Sequence, residues 1–285
     1  SHACGGFVNK TVRKIAYLGP PGTYSEQAAK QWNDVDELLP VESIPAVAKS
    51  VEEGESYQGV VPIENSIEGG VTFTLDLLIH DSTLLICGEV IVPINHYLMA
   101  QKEIDFKSIT TVFSHPQSLG QCRQFLLSNI PRATLMASLS NAKAVEEMLD
   151  STPNSAAISS ERSANLYGAT ILQKNVEDNP NNETRFVVLS HDDHEITSND
   201  KTSLCFEFDG DGPGILSESL TEFAARNINL VKIESRPNKR RLGGYVFLVD
   251  IDGHRKTPEV KQALDSLQEK VSMLKIFGSY PKGEM

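Results

Sequence analysis

The feature that most limits the fold of this chain is a unit that recurs along its N-terminal part: a short apolar run, a polar or Gly/Pro turn, then an amphipathic helical run. Residues 15–18 lead into Gly19-Pro-Pro-Gly-Thr23 and a helix from Tyr24. Residues 59–63 lead into Glu64-Asn65-Ser66 and a helix through Leu75 and Leu78. Residues 111–113 lead into Ser114-His-Pro-Gln117 and a helix through Phe125 and Leu126. Residues 135–137 lead into Ser140-Asn141 and a helix to Leu149, and 156–158 into Ser159-Ser160 and a helix to Tyr167. This alternation predicts an α/β protein with mostly parallel sheets.

The turns share a chemistry. Thr23-x-x-Glu26 and Ser114-x-x-Gln117 match the capping-box pattern, and Pro116 suits a first helical position. Taken singly, such hydroxyls cap helices. Recurring at the same place in each unit, they put helix N-termini at the carboxyl ends of strands, where open α/β sheets bind ligands. A cleft lined by several such ends suits a ligand with more than one carboxylate. Each end contributes about 0.3–1 kcal/mol, and micromolar binding requires roughly 8 kcal/mol, so a charged partner is needed as well.

Residues 86–99 read as one long strand interrupted by Pro93, able to cross from one α/β lobe to a second, with the return crossing at 184–189. Two lobes joined by two crossing segments make a hinged clamp, here spanning 12–190. The polar stretch 190–201 marks a boundary. Beyond it, 201–280 reads β-α-β-β-α-β, the order of a small ferredoxin-like domain. Asp211-Gly-Pro-Gly214 forms a turn before its first helix, and residues 1–10 read as a flexible leader.

A net charge of −12 and a pI of about 5.1 argue against nucleic acid and anionic membranes as partners, but not against a small anion held by local donors. No apolar run is long enough to span a bilayer, and no secretory signal is visible. Lys239-Arg240-Arg241 reads as a solvated loop. Cys4, Cys87, Cys122 and Cys205 fit neither a metal site nor a disulfide framework. Reduced thiols in a cytoplasmic protein are expected, with Cys122 a small buried residue rather than a nucleophile. His191-Asp-Asp-His194 reads as interdomain linker, and no cofactor or metal is expected.

Thr184-Arg185-Phe186, at the expected hinge, sets a hydroxyl beside a guanidinium beside a ring. The hydroxyl can donate to a leaving group, and the guanidinium can hold a carboxylate at two points or brace the hinge through an acidic residue. The ring can cover a six-membered substrate or serve as core. Glu64 is awkward beside an anionic ligand unless protonated or paired.

Together Gly19-Pro-Pro-Gly-Thr-Tyr-Ser-Glu26, Pro62-Ile-Glu-Asn-Ser-Ile-Glu-Gly-Gly70, Ser114-His-Pro-Gln-Ser-Leu-Gly-Gln-Cys122 and Thr184-Arg-Phe186 resemble prephenate dehydratase. Asp211-Gly-Pro-Gly-Ile-Leu216 followed by Ile233-Glu-Ser-Arg-Pro237 is similar to that family's ACT regulatory domain. The resemblance covers nearly the whole chain after about residue 12. It implies two lobes of the periplasmic-binding-protein (type II) kind around an active site, then an α+β ACT domain that binds L-phenylalanine. The implied reaction takes prephenate to phenylpyruvate, CO2 and water, under feedback inhibition by phenylalanine.

The resemblance carries the catalytic hydroxyl to Thr184. It assigns substrate roles to Asn65, Ser114, Gln121, Arg185 and Phe186, with Thr23, Glu64 and Ser66 as lining. Phenylalanine recognition falls to Gly214, Ile215 and Leu216 and to Glu234, Ser235, Arg236 and Pro237. Ile215 departs from the family's small residue and Gly244 from its glutamate. With no chorismate mutase segment before residue 12, the monofunctional form is expected, as a homodimer or homotetramer. Two readings stay open on the residues alone: a two-lobe receptor for a small carboxylate, and arogenate as substrate.

Overall fold

Strands form where the apolar runs lie, and the turns between them decide which sheet each joins. The computed structural model describes residues 12–210 and 212–283; the leader read at 1–10, Cys4 and Asp211 lie outside the described residues. The first lobe is built on β1 (Lys14–Leu18), β2 (Glu37–Val41), β3 (Gln58–Asn65), β4 (Gly69–Gly70), β5 (Leu85–Pro93) and β11 (Glu183–Ser190), in the order β2-β1-β3-β11-β5 with β4 beside β3. Helices α1 (Tyr24–Trp32), α2 (Ile44–Glu52) and α3 (Thr72–Asp76) cover it, α3 running on as a π-type turn to Asp81.

The second lobe holds β6 (Tyr97–Ala100), β7 (Thr111–Ser114), β8 (Thr134–Ala137), β9 (Ser155–Ser159) and β10 (Thr170–Gln173), in the order β10-β6-β9-β7-β8. Its helices are α4 (Pro116–Gln121), α5 (Arg123–Asn129), α6 (Asn141–Leu149) and α7 (Glu161–Tyr167). Both sheets are mixed rather than mostly parallel. β1, β2 and β3 run parallel, as do β7, β8 and β9, but β11 opposes both its neighbours and β6 opposes β9 and β10.

The outward crossing is the short strap 94–96 after Pro93. The return crossing is not at 184–189. Those residues are paired along their length with β3 on one side and β5 on the other, and a strand hydrogen-bonded on both edges within one sheet has no freedom to span two. The return strap is 174–182, which leaves Thr184 at the mouth of β11.

The C-terminal part forms β12 (Asp200–Glu207), α8 (Ile215–Ala224), β13 (Leu230–Pro237), β14 (Tyr245–Asp252), α9 (Pro258–Lys270) and β15 (Met273–Pro281), with an antiparallel sheet in the order β13-β14-β12-β15. It is not hung on a free linker. Cys205, Val246, Leu248, Phe277 and Tyr280 join Val47, Val61, Leu78, Ile86 and Leu189 of the first lobe in one hydrophobic cluster. At Gly278 (φ +145°) a Cβ would lie 2.3 Å from the Ile86 carbonyl oxygen, so only glycine lets β15 come this close to β5. The polar stretch after β11 is tied down as well: Arg255 donates to Asp193 at 2.6 and 2.9 Å, and the His194 amide donates to the Ser279 carbonyl. The basic loop is solvent-exposed as read, and two of its cations also pair with carboxylates, Lys239 with Asp76 and Arg240 with Glu207.

Candidate active site

Three helix N-termini converge on a cleft of about 540 Å³ between the lobes, lined by Gly19, Thr23, His115, Ser118, Asn141 and Lys143 among others. Thr23 caps α1, its hydroxyl accepting from the Glu26 amide at 3.3 Å. Ser140 caps α6, accepting from the Lys143 amide at 2.9 Å. The cap of α4 is His115, not Ser114. Pro116 takes the first helical position, and His115 Nδ1 accepts from the Gln117 amide. Burial holds the His115 pKa below the ordinary value, which suits a neutral acceptor. Ser114 instead ends β7 fully buried, its one hydroxyl proton shared between the Ile158 carbonyl at 2.8 Å and Asn141 Oδ1 at 3.0 Å. It fixes Asn141, whose own amide donates to Ser118 Oγ at 2.8 Å.

The lobes also touch behind Thr23. Ser160, the cap of α7, and Ser163 within it both donate to the Gly22 carbonyl at 2.7 Å, Tyr167 donates to the Pro21 carbonyl, and Arg162 pairs with Glu26 at 2.9 Å. At Gly22 a Cβ would meet Ser163 Oγ at 2.8 Å with φ at +94°, so this contact depends on glycine.

Thr184 and Asn65 face each other across β11 and β3. Asn65 Oδ1 accepts the backbone amides of Ile67 and Glu68 at 2.9 and 3.0 Å. Its Nδ2 therefore points the other way, to Thr184 Oγ1 at 2.9 Å and Asn182 Oδ1 at 2.8 Å. The Thr184 oxygen accepts, which leaves its own proton to be donated elsewhere. Gln121, at the end of α4, accepts from Asn182 Nδ2 at 3.1 Å. Ser118 of the cleft and Gln121 of this cluster lie three residues apart on α4, a spacing that shares one helix face. Ser66 staples the end of β3 to the strap, donating to the Asn181 carbonyl and accepting from the Glu183 amide.

The tripeptide does not act as a block, because successive residues of a strand face opposite ways. Phe186 is 2% exposed, inside the core under α1 with Tyr17, Val60 and Val90. Arg185 points toward the C-terminal sheet and lies among Glu64 (2.7 Å), Asp250 (3.0 Å) and Glu89 (3.4 Å). Lys201 pairs with Glu89 and Lys232 with Glu64. Burial alone would raise the Glu64 pKa, but Arg185 and Lys232 outweigh it and the net shift is downward. Glu64 is thus a paired carboxylate, its charge offset by Arg185 and Lys232.

Gly214, at φ +87°, opens α8. Ile215 and Leu216 line a cavity of about 190 Å³ with Phe208, Gly244, Tyr245 and Phe247. The 234–237 block does not line it. Glu234 pairs with Lys232, Arg236 pairs with Asp76 of α3, and both side chains face the first lobe. Ser235 and Pro237 alternate to the exposed face of β13. At Gly244 a side chain would meet the Asn238 amide at 2.2 Å, and that amide donates to Glu207. The space a glutamate would need is filled by this pair. Cys122 is fully buried in the second lobe's core, and burial pushes its thiol pKa up.

Sequence reasoning gave no individual role to Asn182, His96, Ser118, Asn141 or Lys143. Asn182 stands two residues before Thr184 and Asn141 beside a capping serine, so both lay next to a signal. His96 had none, because its partners are distant in the chain.

A family model described as prephenate dehydratase matches residues 15–194, and one described as ACT domain matches 210–269. The chain is 40% identical over 270 residues to the bifunctional chorismate mutase/prephenate dehydratase of Aquifex aeolicus, covering 94% of this chain and 74% of that protein. It is 38% identical over 274 residues to the prephenate dehydratase of Methanocaldococcus jannaschii, covering 94% and 98%. The crystal structure of the Arthrobacter aurescens prephenate dehydratase in complex with L-Phe superposes with a TM-score of 0.86 at 35% identity, over 94% of this chain and 90% of that one.

Proposed function

This chain belongs to the prephenate dehydratase family, and we propose that its lobes hold prephenate while Thr184 donates a hydrogen bond to the departing hydroxyl. The activity is that of a hydro-lyase in phenylalanine biosynthesis, with an ACT domain as its regulatory part. In this reading residues 12–190 are catalytic, 201–280 regulatory, and the protein works in the cytoplasm without a cofactor. No helix among the described residues is long and apolar enough to cross a membrane.

The observation that carries the role of Thr184 is the direction of its hydrogen bond from Asn65, which commits the oxygen and frees the proton. The ring loses its carboxylate as CO2 and its hydroxyl as hydroxide, which takes a proton from solvent to become water, and aromatisation drives the reaction. Hydroxide is a poor leaving group, so a donor aimed at it is the central need. A threonine hydroxyl is a very weak acid, so Thr184 supplies a strengthening hydrogen bond rather than a free proton. The helix ends at Thr23, His115 and Ser140, with Lys143 and Gln121, supply donors for the two carboxylates. Ser66 and Ser114 hold the frame, Phe186 is core, and Arg185 with Glu64 braces the catalytic sheet against the ACT domain.

In this reading phenylalanine binds in the cavity lined by Ile215 and Leu216, next to the Gly214 turn. The first assay follows phenylpyruvate formed from prephenate, with and without phenylalanine and with arogenate in parallel. Turnover of prephenate, suppressed by phenylalanine, is the expected result. Faster turnover of arogenate would reassign the substrate, and binding without turnover of either would favour the receptor reading.

Self-association belongs to the same reading. The edge strand β13 leaves Val231 and Ile233 44% and 43% exposed, and an unpaired apolar edge invites a second copy. Light scattering is expected to give a dimer or tetramer; a monomer at micromolar concentration would remove this part.

A further inference from the structure

One polar chain runs through both straps of the hinge, and its direction can be assigned from groups that cannot turn round. The amides of Ile67 and Glu68 fix Asn65 Oδ1 as acceptor, so Asn65 Nδ2 donates to Asn182 Oδ1. Asn182 is 2% exposed and lies in the return strap; its Nδ2 donates to Gln121 Oε1. That oxygen is therefore an acceptor, and His96 Nε2, 2.7 Å from it, is a donor. His96 lies in the outward strap, 1% exposed. A neutral imidazole with its proton on Nε2 has a bare Nδ1, and Nδ1 of His96 is buried with no protein partner among the described residues.

The groups facing this ring support a neutral form. The Tyr24 ring meets it edge-on at 6.3 Å, and Glu177 accepts from the His96 backbone amide. Burial outweighs Glu177 and moves the His96 pKa down. With its oxygen held twice, the Gln121 side chain turns its NH2 away from both straps, where it donates to the Glu68 carboxylate at 3.3 Å.

We propose that His96 and Asn182 are positioning residues that lock the Gln121 amide with its NH2 toward substrate. The proposal rests on the reading of Gln121 as a substrate contact. Neither residue touches substrate. They remove the flipped amide, which would present an oxygen to a carboxylate, and they tie that choice to the hinge that joins the lobes.

The test is a double-mutant cycle of His96→Phe and Gln121→Ala, with kcat and KM for prephenate measured for each. Gln121→Ala is expected to lower kcat/KM by about tenfold or more, the scale of a lost hydrogen bond to a charged group. His96→Phe is expected to lower it less and mainly through KM, and to cost nothing further when Gln121 is already alanine. His96→Gln, which keeps a donor near the Nε2 position, is expected to recover most of the loss. Additive losses would overturn the proposal and leave the reading of Gln121 standing. A Gln121→Ala enzyme that matches the parent would overturn both. Independently of any variant's folding, 15N NMR of the intact protein is expected to show His96 neutral with its proton on Nε2. A proton on Nδ1 at neutral pH would overturn the assignment.

Discussion

Thr184→Ala is expected to lower kcat by about 10²–10³-fold, the range seen when one preorganised donor to developing negative charge is removed, while binding of prephenate changes little. Thr184 is 9% exposed, and its oxygen already accepts from Asn65. The substitution deletes a donor that matters most as the hydroxyl departs, and interactions stronger in the transition state than the ground state act on kcat. Thr184→Ser keeps the hydroxyl and is expected to retain most of the turnover. Steady-state kinetics with prephenate, paired with calorimetric titration of the alanine variant, separates the two terms. Equal turnover in Thr184→Ala would remove the assigned role; a lost affinity with kcat kept would make Thr184 a binding residue.

Arg185→Leu is expected to be the most destabilising single change at the domain junction, by about 3–5 kcal/mol, the cost of removing one partner from a buried ionic cluster. Lys232 still covers Glu64 and Lys201 still covers Glu89. Asp250 is left with the Ser203 hydroxyl alone. Denaturant titration measures the loss as a fall in midpoint at constant slope. A loss below about 1 kcal/mol, the scale of an exposed pair, would show that the cluster is solvated in solution. The same cluster gives a pH dependence. Because the Glu64 pKa is lowered in the folded chain, its share of the stability is full above the unfolded value of about 4.3. That share is lost as pH falls through the lower, folded value.

The alternation of apolar runs and capped turns was enough to expect two α/β lobes, but not to place the crossings: the run at 86–99 holds two strands, β5 and β6, and β11 stays within the first sheet. β2 escaped because Glu37-Leu-Leu-Pro-Val41 is partly exposed and carries Pro40, as edge strands tolerate. The α4 cap was legible in principle: a proline at the first helical position makes its predecessor the cap, so Pro116 points to His115 over Ser114. Strand alternation likewise forbids Arg185 and Phe186 from facing one cleft, a constraint the tripeptide itself carries. The roles of His96 and Asn182 were not legible, because the hydrogen bonds that join residues 65, 96, 121 and 182 exist only once both straps are folded. Nor could the sequence tell that Arg236 reaches Asp76 and Glu234 the hairpin at Gly70. Strand β13 decides that only by the face it turns to the first lobe.

The hydrophobic cluster shared by the first lobe and the C-terminal sheet also bears on how such a chain can change over generations. A regulatory unit attached by a flexible tether can be lost, gained or exchanged for another with little harm to the enzyme it serves. Here Val246, Leu248, Phe277 and Tyr280 close the same interior as Val61, Ile86 and Leu189, and Gly278 seats β15 directly on the backbone of β5. Removing the sensor would open the core of the catalyst to water. The two are therefore one object as far as folding is concerned, and a change of volume on one side of the junction is felt on the other.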